Sequence, residues 1–271
     1  MSGVQVQEVP GNSLLLGEFE ILRWYFVSDM KYYVAVNHKQ RRLVVSIRGS
    51  VGVENYYRDA LMHGVTPSTR YWPGAPTDSK VHTGFYTAAY MMLDEERPET
   101  RVSNIISYHL GQFPGYGVVI TGHSLGAAVA SLVALSLKLN PVQGVTSLEL
   151  YTYGQPIVSN AIFADFLGEK LGNDVYVRSI SSDDSVPYLQ MNAWSLQEPK
   201  DTMRHPKQSD EVFFPRWYEP VAQLCHGMSD PLCSLNMYCK DRKWDRHSWL
   251  GGQRIGEGFC LLSKYPQVIK P

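Results

Sequence analysis

The residues Thr121-Gly122-His123-Ser124-Leu125-Gly126-Ala127-Ala128 limit the fold more than any other stretch, because an apolar run precedes them and a run of small apolar residues follows. A G-x-S-x-G segment between a strand and a helix predicts a turn so tight that its serine adopts strained backbone angles. Gly122 and Gly126 leave room for strand and helix to approach without clashing side chains. Ser124 then projects from the N-terminal end of a helix, where the dipole and the amide of Leu125 can stabilise an oxyanion.

The rest of the chain supports an α/β fold. Short β-branched or apolar runs at 32–36, 43–47, 118–121, 148–152 and 175–180 read as strands. Helix-length segments lie between them at roughly 84–96, 99–110, 125–139 and 160–171, the last opened by a Ser159/Asn160 cap. Alternating strands and helices predict a mostly parallel sheet covered on both faces. No repeat or Pro/Gly/Ser linker divides the 271 residues, so 1–271 reads as one domain. The stretch 118–137 has the length of a membrane span, but Thr121, His123, Ser124, Ser131, Gly122 and Gly126 interrupt it, and a buried strand, turn and helix fit better.

Charge narrows the function classes. With 25 basic and 26 acidic side chains the chain has no polycationic footprint, which argues against nucleic acid as a partner. Met1 to Pro10 has neither a basic head nor an apolar stretch, so no signal peptide is expected there.

An elbow serine is a weak nucleophile until a base takes its proton, and in this type of fold the acid and then the histidine follow it in the chain. The carboxylate-bearing loop Ser181-Ser182-Asp183-Asp184-Ser185-Val186-Pro187 follows a strand, and either aspartate can serve. His205, His226 and His247 are the downstream bases, and spacing alone does not choose among them. A second oxyanion donor should come from the loop after an earlier strand. Arg48-Gly49-Ser50 ends such a strand, and Ser50 can offer both its amide and its hydroxyl. The mixed apolar, aromatic and charged segment 51–61 suits either a lid or a plain surface helix.

Together these residues resemble the class 3 lipases, the fungal type of the α/β-hydrolase superfamily, over most of the chain. Ile47-Arg48-Gly49-Ser50 resembles that family's oxyanion segment, Asn55 to Asp59 its lid region, and Val81-His82-Thr83-Gly84-Phe85 its H-x-G-F segment. Thr121 to Gly126 matches the elbow, and Tyr153-Gly154-Gln155-Pro156-Ile157-Val158 the G-Q-P segment. The resemblance implies Asp184, three residues before Pro187, as the acid and His247, just ahead of an aromatic residue, as the base. It implies Ser50 and Leu125 as the oxyanion hole, Asp59 as a carboxylate orienting the Ser50 hydroxyl, and a structural role for His82. The departures are Ala127 where glycine is common, a looser Arg246-His247-Ser248-Trp249 motif, and a shortened N-terminal helix before Gly17.

The implied chemistry is hydrolysis of lipid esters, acylglycerols foremost, through an acyl-enzyme on Ser124, with no cofactor and no metal. The implied partners are a lipid ester substrate and, transiently, a lipid–water interface, with no stable membrane span. Feruloyl esterases and phospholipases of the same family share the triad, and lipase-like scaffolds that bind without turnover form the rival from another class. The resemblance also implies a Cys225–Cys233 bridge closing a short loop, as in secreted yeast lipases; Cys239 and Cys260 form a second pair or stay free. A bridge would favour secretion, and thiols an intracellular protein.

Overall fold

The computed structural model describes residues 5–8, 14–16, 18–27, 30–49, 64–94, 96, 98–172, 175–188, 203–204, 210–214, 223–226, 242–250 and 253–255. In chain order its elements are β1 (Gln5–Glu8), β2 (Leu14–Leu16), β3 (Phe19–Val27), β4 (Met30–Asn37), β5 (Arg42–Ile47), β6 (Gly64–Val65), β7 (Val81–His82), α1 (Thr83–Leu93), α2 (Val102–Gln112), β8 (Gly117–His123), α3 (Leu125–Leu139) and β9 (Leu148–Tyr153). There follow β10 (Ser159–Asn160), α4 (Ala161–Leu171), β11 (Tyr176–Ser181), β12 (Met203–Arg204), β13 (Asp210–Phe214), β14 (Gln223–His226), β15 (Trp249–Leu250) and β16 (Gln253–Arg254). The expected strands and helices all occur, with ends displaced by a few residues. Before Gly17 the described residues form strands β1 and β2, where the family resemblance implied a shortened helix.

A 10-stranded sheet runs β1-β3-β4-β5-β8-β9-β11-β13-β14, with β2 on β3. Its centre, β5-β8-β9-β11-β13, is parallel, while β3-β4-β5 and β13-β14 pair antiparallel. Successive parallel strands always step in the same direction across the sheet. A right-handed crossover places its helix on one face, so steps that never reverse gather every crossover helix on that face. Accordingly, apolar residues of all four described helices join one cluster with Leu43, Val45, Ile47, Val118 and Ile120. The alternate side chains Val44, Val119 and Ala35 point the other way and pack with Ile21, Phe19, Trp24 and Tyr33. The four described helices therefore share one face, where the alternation of strands and helices had suggested cover on both.

Helix α3 is the centre of the core. Every residue from Leu125 to Leu137 is buried, and its sequence Leu-Gly-Ala-Ala-Val-Ala-Ser is small enough at the start to lie close against β5 and β8. Burial of each Leu or Val along it contributes about 1.5–3 kcal/mol. The Trp72 indole fills the gap beside α3 and donates its Nε1–H to Leu132 O at 3.0 Å. Among the described residues no helix is long and apolar enough to cross a membrane; the apolar run at 118–137 divides into β8, a turn and α3.

One charged pair lies inside the sheet. Arg178 of β11 and Glu211 of β13 face each other in register and bond at 2.8 Å, both almost fully buried. Guanidinium and carboxylate are desolvated together, which ties the parallel centre to the strand carrying the chain toward its C-terminal region.

Candidate active site

The C-terminal ends of β5, β8, β9 and β11 lie side by side, Ile47 opposite Gly122 and His123 opposite Tyr153. Ser124 stands between β8 and α3 with φ 59° and ψ −126°, in the left-handed region a serine rarely visits. Close packing enforces that turn: a Cβ on Gly122 would overlap the carbonyl oxygen of Gly126, and one on Gly126 would overlap that of Ile47. The Ser124 amide donates to Tyr153 O at 3.0 Å, and its carbonyl accepts from the amides of Ala127 and Ala128. The Leu125 and Gly126 amides precede the first of those bonds and lie at the positive end of the helix dipole. Residue 49 is immediately adjacent, since a Cβ on Gly49 would lie 3.2 Å from that of Ser124.

Of the two aspartates after β11, only Asp184 meets the histidine. Asp184 Oδ2 accepts from His247 Nδ1 at 2.8 Å, and its Oδ1 accepts from the Val186 amide at 2.8 Å. Asp183 is occupied instead by the Ser182 hydroxyl. His247 lies in a 3-10 turn, Trp244–Ser248, and is 3% exposed. One backbone and one side-chain bond join the two loops: the Lys243 amide donates to Asp183 O at 2.8 Å, and Arg242 Nε donates to Ser182 O at 3.4 Å. The Arg242 guanidinium also stacks 3.5 Å from the centre of the Tyr188 ring.

With its Nδ1 proton directed at Asp184, the imidazole turns a lone pair outward on Nε2. His247 Nε2 and Ser124 Oγ are both buried, and neither has a hydrogen-bond partner among the described residues. Carboxylate and imidazole are thus joined, while the Ser124 hydroxyl and the Nε2 lone pair meet no competing bond among the described residues. A serine–histidine bond of this kind commonly tightens only when substrate arrives.

Two further residues touch this pair. Gly154 has φ +55°, and a Cβ there would come within 2.9 Å of His247 Cε1 and 3.1 Å of Asp184 Oδ2. The bare backbone at this point is a shelf against which imidazole and carboxylate rest. Its neighbour Gln155 holds the turn from below, accepting from the Tyr176 hydroxyl at 2.5 Å. Burial pushes that phenol up to about 12, so it remains a donor. The His123 ring stacks on His247 with centroids 4.5 Å apart, and His123 Nε2 donates to the His247 carbonyl at 2.9 Å. Gly154 and His123 had no role in the sequence reading beyond membership of their motifs. The G-Q-P glycine was a visible sign of a close approach, but what approaches it comes from a distant part of the chain.

Leu125 occupies the expected place at the start of α3. Ser50, Asn55, Asp59 and Cys233 lie outside the described residues, as do His205 and the expected lid. Cys225 is buried on β14 and is disulfide-bonded. The expected loop therefore begins on a strand, and the backbone of His226 continues β14. His82 is fully buried at the start of α1, its ring 4.4 Å from Phe85 and its nitrogens without partners among the described residues. Desolvation pushes His82 down to about 4, which keeps it neutral and fits a place in the packing.

The family model of lipase (class 3) matches residues 44–193. Secreted mono- and diacylglycerol lipase A of Penicillium cyclopium is 32% identical over 163 residues, covering 60% of this chain and 48% of that protein. Secreted mono- and diacylglycerol lipase 1 of Fusarium solani is 33% identical over 157 residues, covering 58% and 42%. The chain spans about half the length of these curated relatives. Among solved structures, the triacylglyceride lipase of Rhizomucor miehei superposes with a TM-score of 0.70 at 24% identity, over 89% of this chain and 83% of that one. That likeness identifies the α/β-hydrolase fold. The elbow, its sheet context and the matched segment lead to one conclusion: the chain belongs to the class 3 lipase family.

Proposed function

We propose that the protein hydrolyses carboxylic esters of lipids, acylglycerols foremost, through an acyl-enzyme on Ser124. The observation that carries this reading is the 2.8 Å bond from His247 Nδ1 to Asp184, which fixes the tautomer needed to take a proton from a serine at a strained elbow. His247 Nε2 removes the Ser124 proton as Oγ bonds to the ester carbonyl carbon. The amides of Leu125 and Ser50 and the Ser50 hydroxyl receive the developing negative charge, with Asp59 orienting that hydroxyl. When the ester C–O bond breaks, the same proton leaves with the alcohol. Water then attacks the acyl-enzyme, His247 takes its proton, and the fatty acid departs as Ser124 is restored. Asp184 stabilises the imidazolium throughout. This sequence of steps needs neither metal nor cofactor.

The acylglycerol assignment rests on family membership and on the mono- and diacylglycerol lipases among the relatives. In this reading segment 55–59 forms a lid that opens at a lipid–water interface, and Cys225 pairs with Cys233. Turnover of p-nitrophenyl butyrate by wild type and Ser124→Ala tests the chemistry, with a loss on the order of 10⁴-fold or more expected. Near-wild-type turnover by the alanine variant would reject Ser124 as nucleophile. Tributyrin, emulsified long-chain triacylglycerol, phospholipid and methyl ferulate compared side by side test the substrate. Cleavage of methyl ferulate or phospholipid alone would replace the acylglycerol assignment.

A further inference from the structure

We propose that His123 is a positioning residue that straps the backbone of the base to the elbow, so that the strand end presenting Ser124 also sets the height of the His247 imidazole. The inference rests on the hydrolase reading above and adds a residue to it. Three observations carry it. His123 Nε2 donates to the His247 carbonyl at 2.9 Å across 124 positions of sequence. The two imidazoles stack at 4.5 Å with 28° between their planes. His123 also directly precedes Ser124, and its register partner across β8 and β9 is Tyr153, next to the Gly154 shelf.

The short turn Trp244–Ser248 has little regular structure of its own to hold it. On the Asp184 side, the carboxylate fixes one edge of the imidazole and the Lys243 amide holds the entry to the turn. The bond from His123 reaches the peptide of His247 itself, and the stacked ring closes one face. Gly154 supports the imidazole at Cε1. With carboxylate edge, ring face and carbonyl all constrained, the remaining freedom of Nε2 is small. A shift of about 1 Å at a reacting atom can cost on the order of 10²-fold in rate.

The strap requires a proton on His123 Nε2, which the neutral ring carries when Nδ1 is the bare nitrogen. Burial, and then the neighbouring His247, hold its pKa down to about 3, so the ring stays uncharged when His247 becomes imidazolium. A neutral ring face beside that cation is compatible with turnover, whereas two cations at this separation would repel.

Three substitutions separate the donor from the ring. His123→Phe keeps an aromatic face without the donor, and His123→Gln places an amide N–H near the Nε2 position. His123→Asn carries a donor too short to reach the carbonyl. With p-nitrophenyl butyrate, His123→Phe and His123→Asn should each lower kcat by about 10- to 100-fold with KM within twofold, and His123→Gln should recover most of the loss. In a His247→Ala background, His123→Phe should change the residual rate by less than twofold, because its effect passes through the base. Thermal unfolding is followed in parallel, and if the phenylalanine variant does not fold, the asparagine and glutamine variants decide the matter. Wild-type kcat in His123→Phe or His123→Asn would overturn the strap. So would equal loss in all three variants, or a further loss in the His247→Ala background. Ser124→Ala distinguishes the two levels: if it retains activity, the hydrolase reading and the strap fall together; if it is inactive while His123→Asn is unaffected, only the strap falls.

Discussion

The strained turn at Ser124 is built from its sequence neighbours, and the ends of two adjacent strands, at Ile47 and Tyr153, close on it. Gly122 and Gly126 allow the strand and helix to close on each other, Ile47 abuts the turn, and the helix that follows is buried in the core. His247 is placed by residues far away in sequence: Asp184, 63 positions earlier, and His123, 124 positions earlier. A local motif can specify a nucleophile, because strain at one residue is compensated by a helix and a sheet that would form in any case. A base carried on a short 3-10 turn depends on hydrogen bonds that exist only once the whole sheet has assembled. Damage to the His247 side should therefore reduce catalysis while leaving the fold and the elbow intact.

The largest such effect is expected from Asp184→Asn. The remaining oxygen can still accept from the Val186 amide, but an amide group facing Nδ1 favours the opposite tautomer, with the proton on Nε2 where the serine proton must go. Kinetics with a soluble ester should give a kcat lower by about 10⁴-fold with little change in thermal midpoint. A loss under tenfold would mean that the bond seen here does not orient the base during turnover.

A smaller effect, about 10- to 100-fold in kcat, is expected from Gly154→Ala. The added methyl meets the imidazole and the carboxylate at once, at a residue whose φ of +55° already disfavours a side chain. KM should be nearly unchanged, since the shelf supports the base and does not contact the acyl chain in this account. If KM rises and kcat is unaltered, residue 154 faces substrate and the shelf is misassigned.

How much of this could be read from sequence follows the same division. Elbow geometry was legible because glycine spacing, the preceding apolar strand and the small-residue helix all lie within about one turn of Ser124. Asp184 and Asp183 were equivalent by local pattern and were separated by the family's D-x-V-P motif; in the structure the Ser182 hydroxyl engages one and His247 the other. The choice of His247 over His205 and His226 depended on resemblance too, since nothing near His247 announces its partners. The gathering of the four described helices on one face is not legible locally, because strand order is a non-local property. The antiparallel strand β3 was not recognised because Glu20 and Arg23 break its apolar alternation.

The smallest predicted effect concerns pH. His82 has its pKa lowered from 6.5 to about 4 by burial, so below 6.5 the unfolded chain binds a proton that the folded chain refuses. Its contribution is fully present above pH 6.5, is lost as pH falls toward 4, and then levels off. His123 adds a similar loss reaching toward pH 3. His82→Phe removes a ring whose nitrogens have no partner among the described residues, so its thermal midpoint should fall less steeply than wild type between pH 6.5 and 4. Parallel curves for the two proteins would show that His82 does not resist protonation in the fold.

The central claim is that Ser124 is an activated nucleophile, and its direct measurement is covalent labelling by a fluorophosphonate probe followed by peptide mapping. Rapid, stoichiometric modification confined to the peptide containing Ser124, abolished in Ser124→Ala and greatly slowed in His247→Ala, is the predicted result. Folded wild-type protein that is not labelled, or is labelled equally fast without His247, would contradict it.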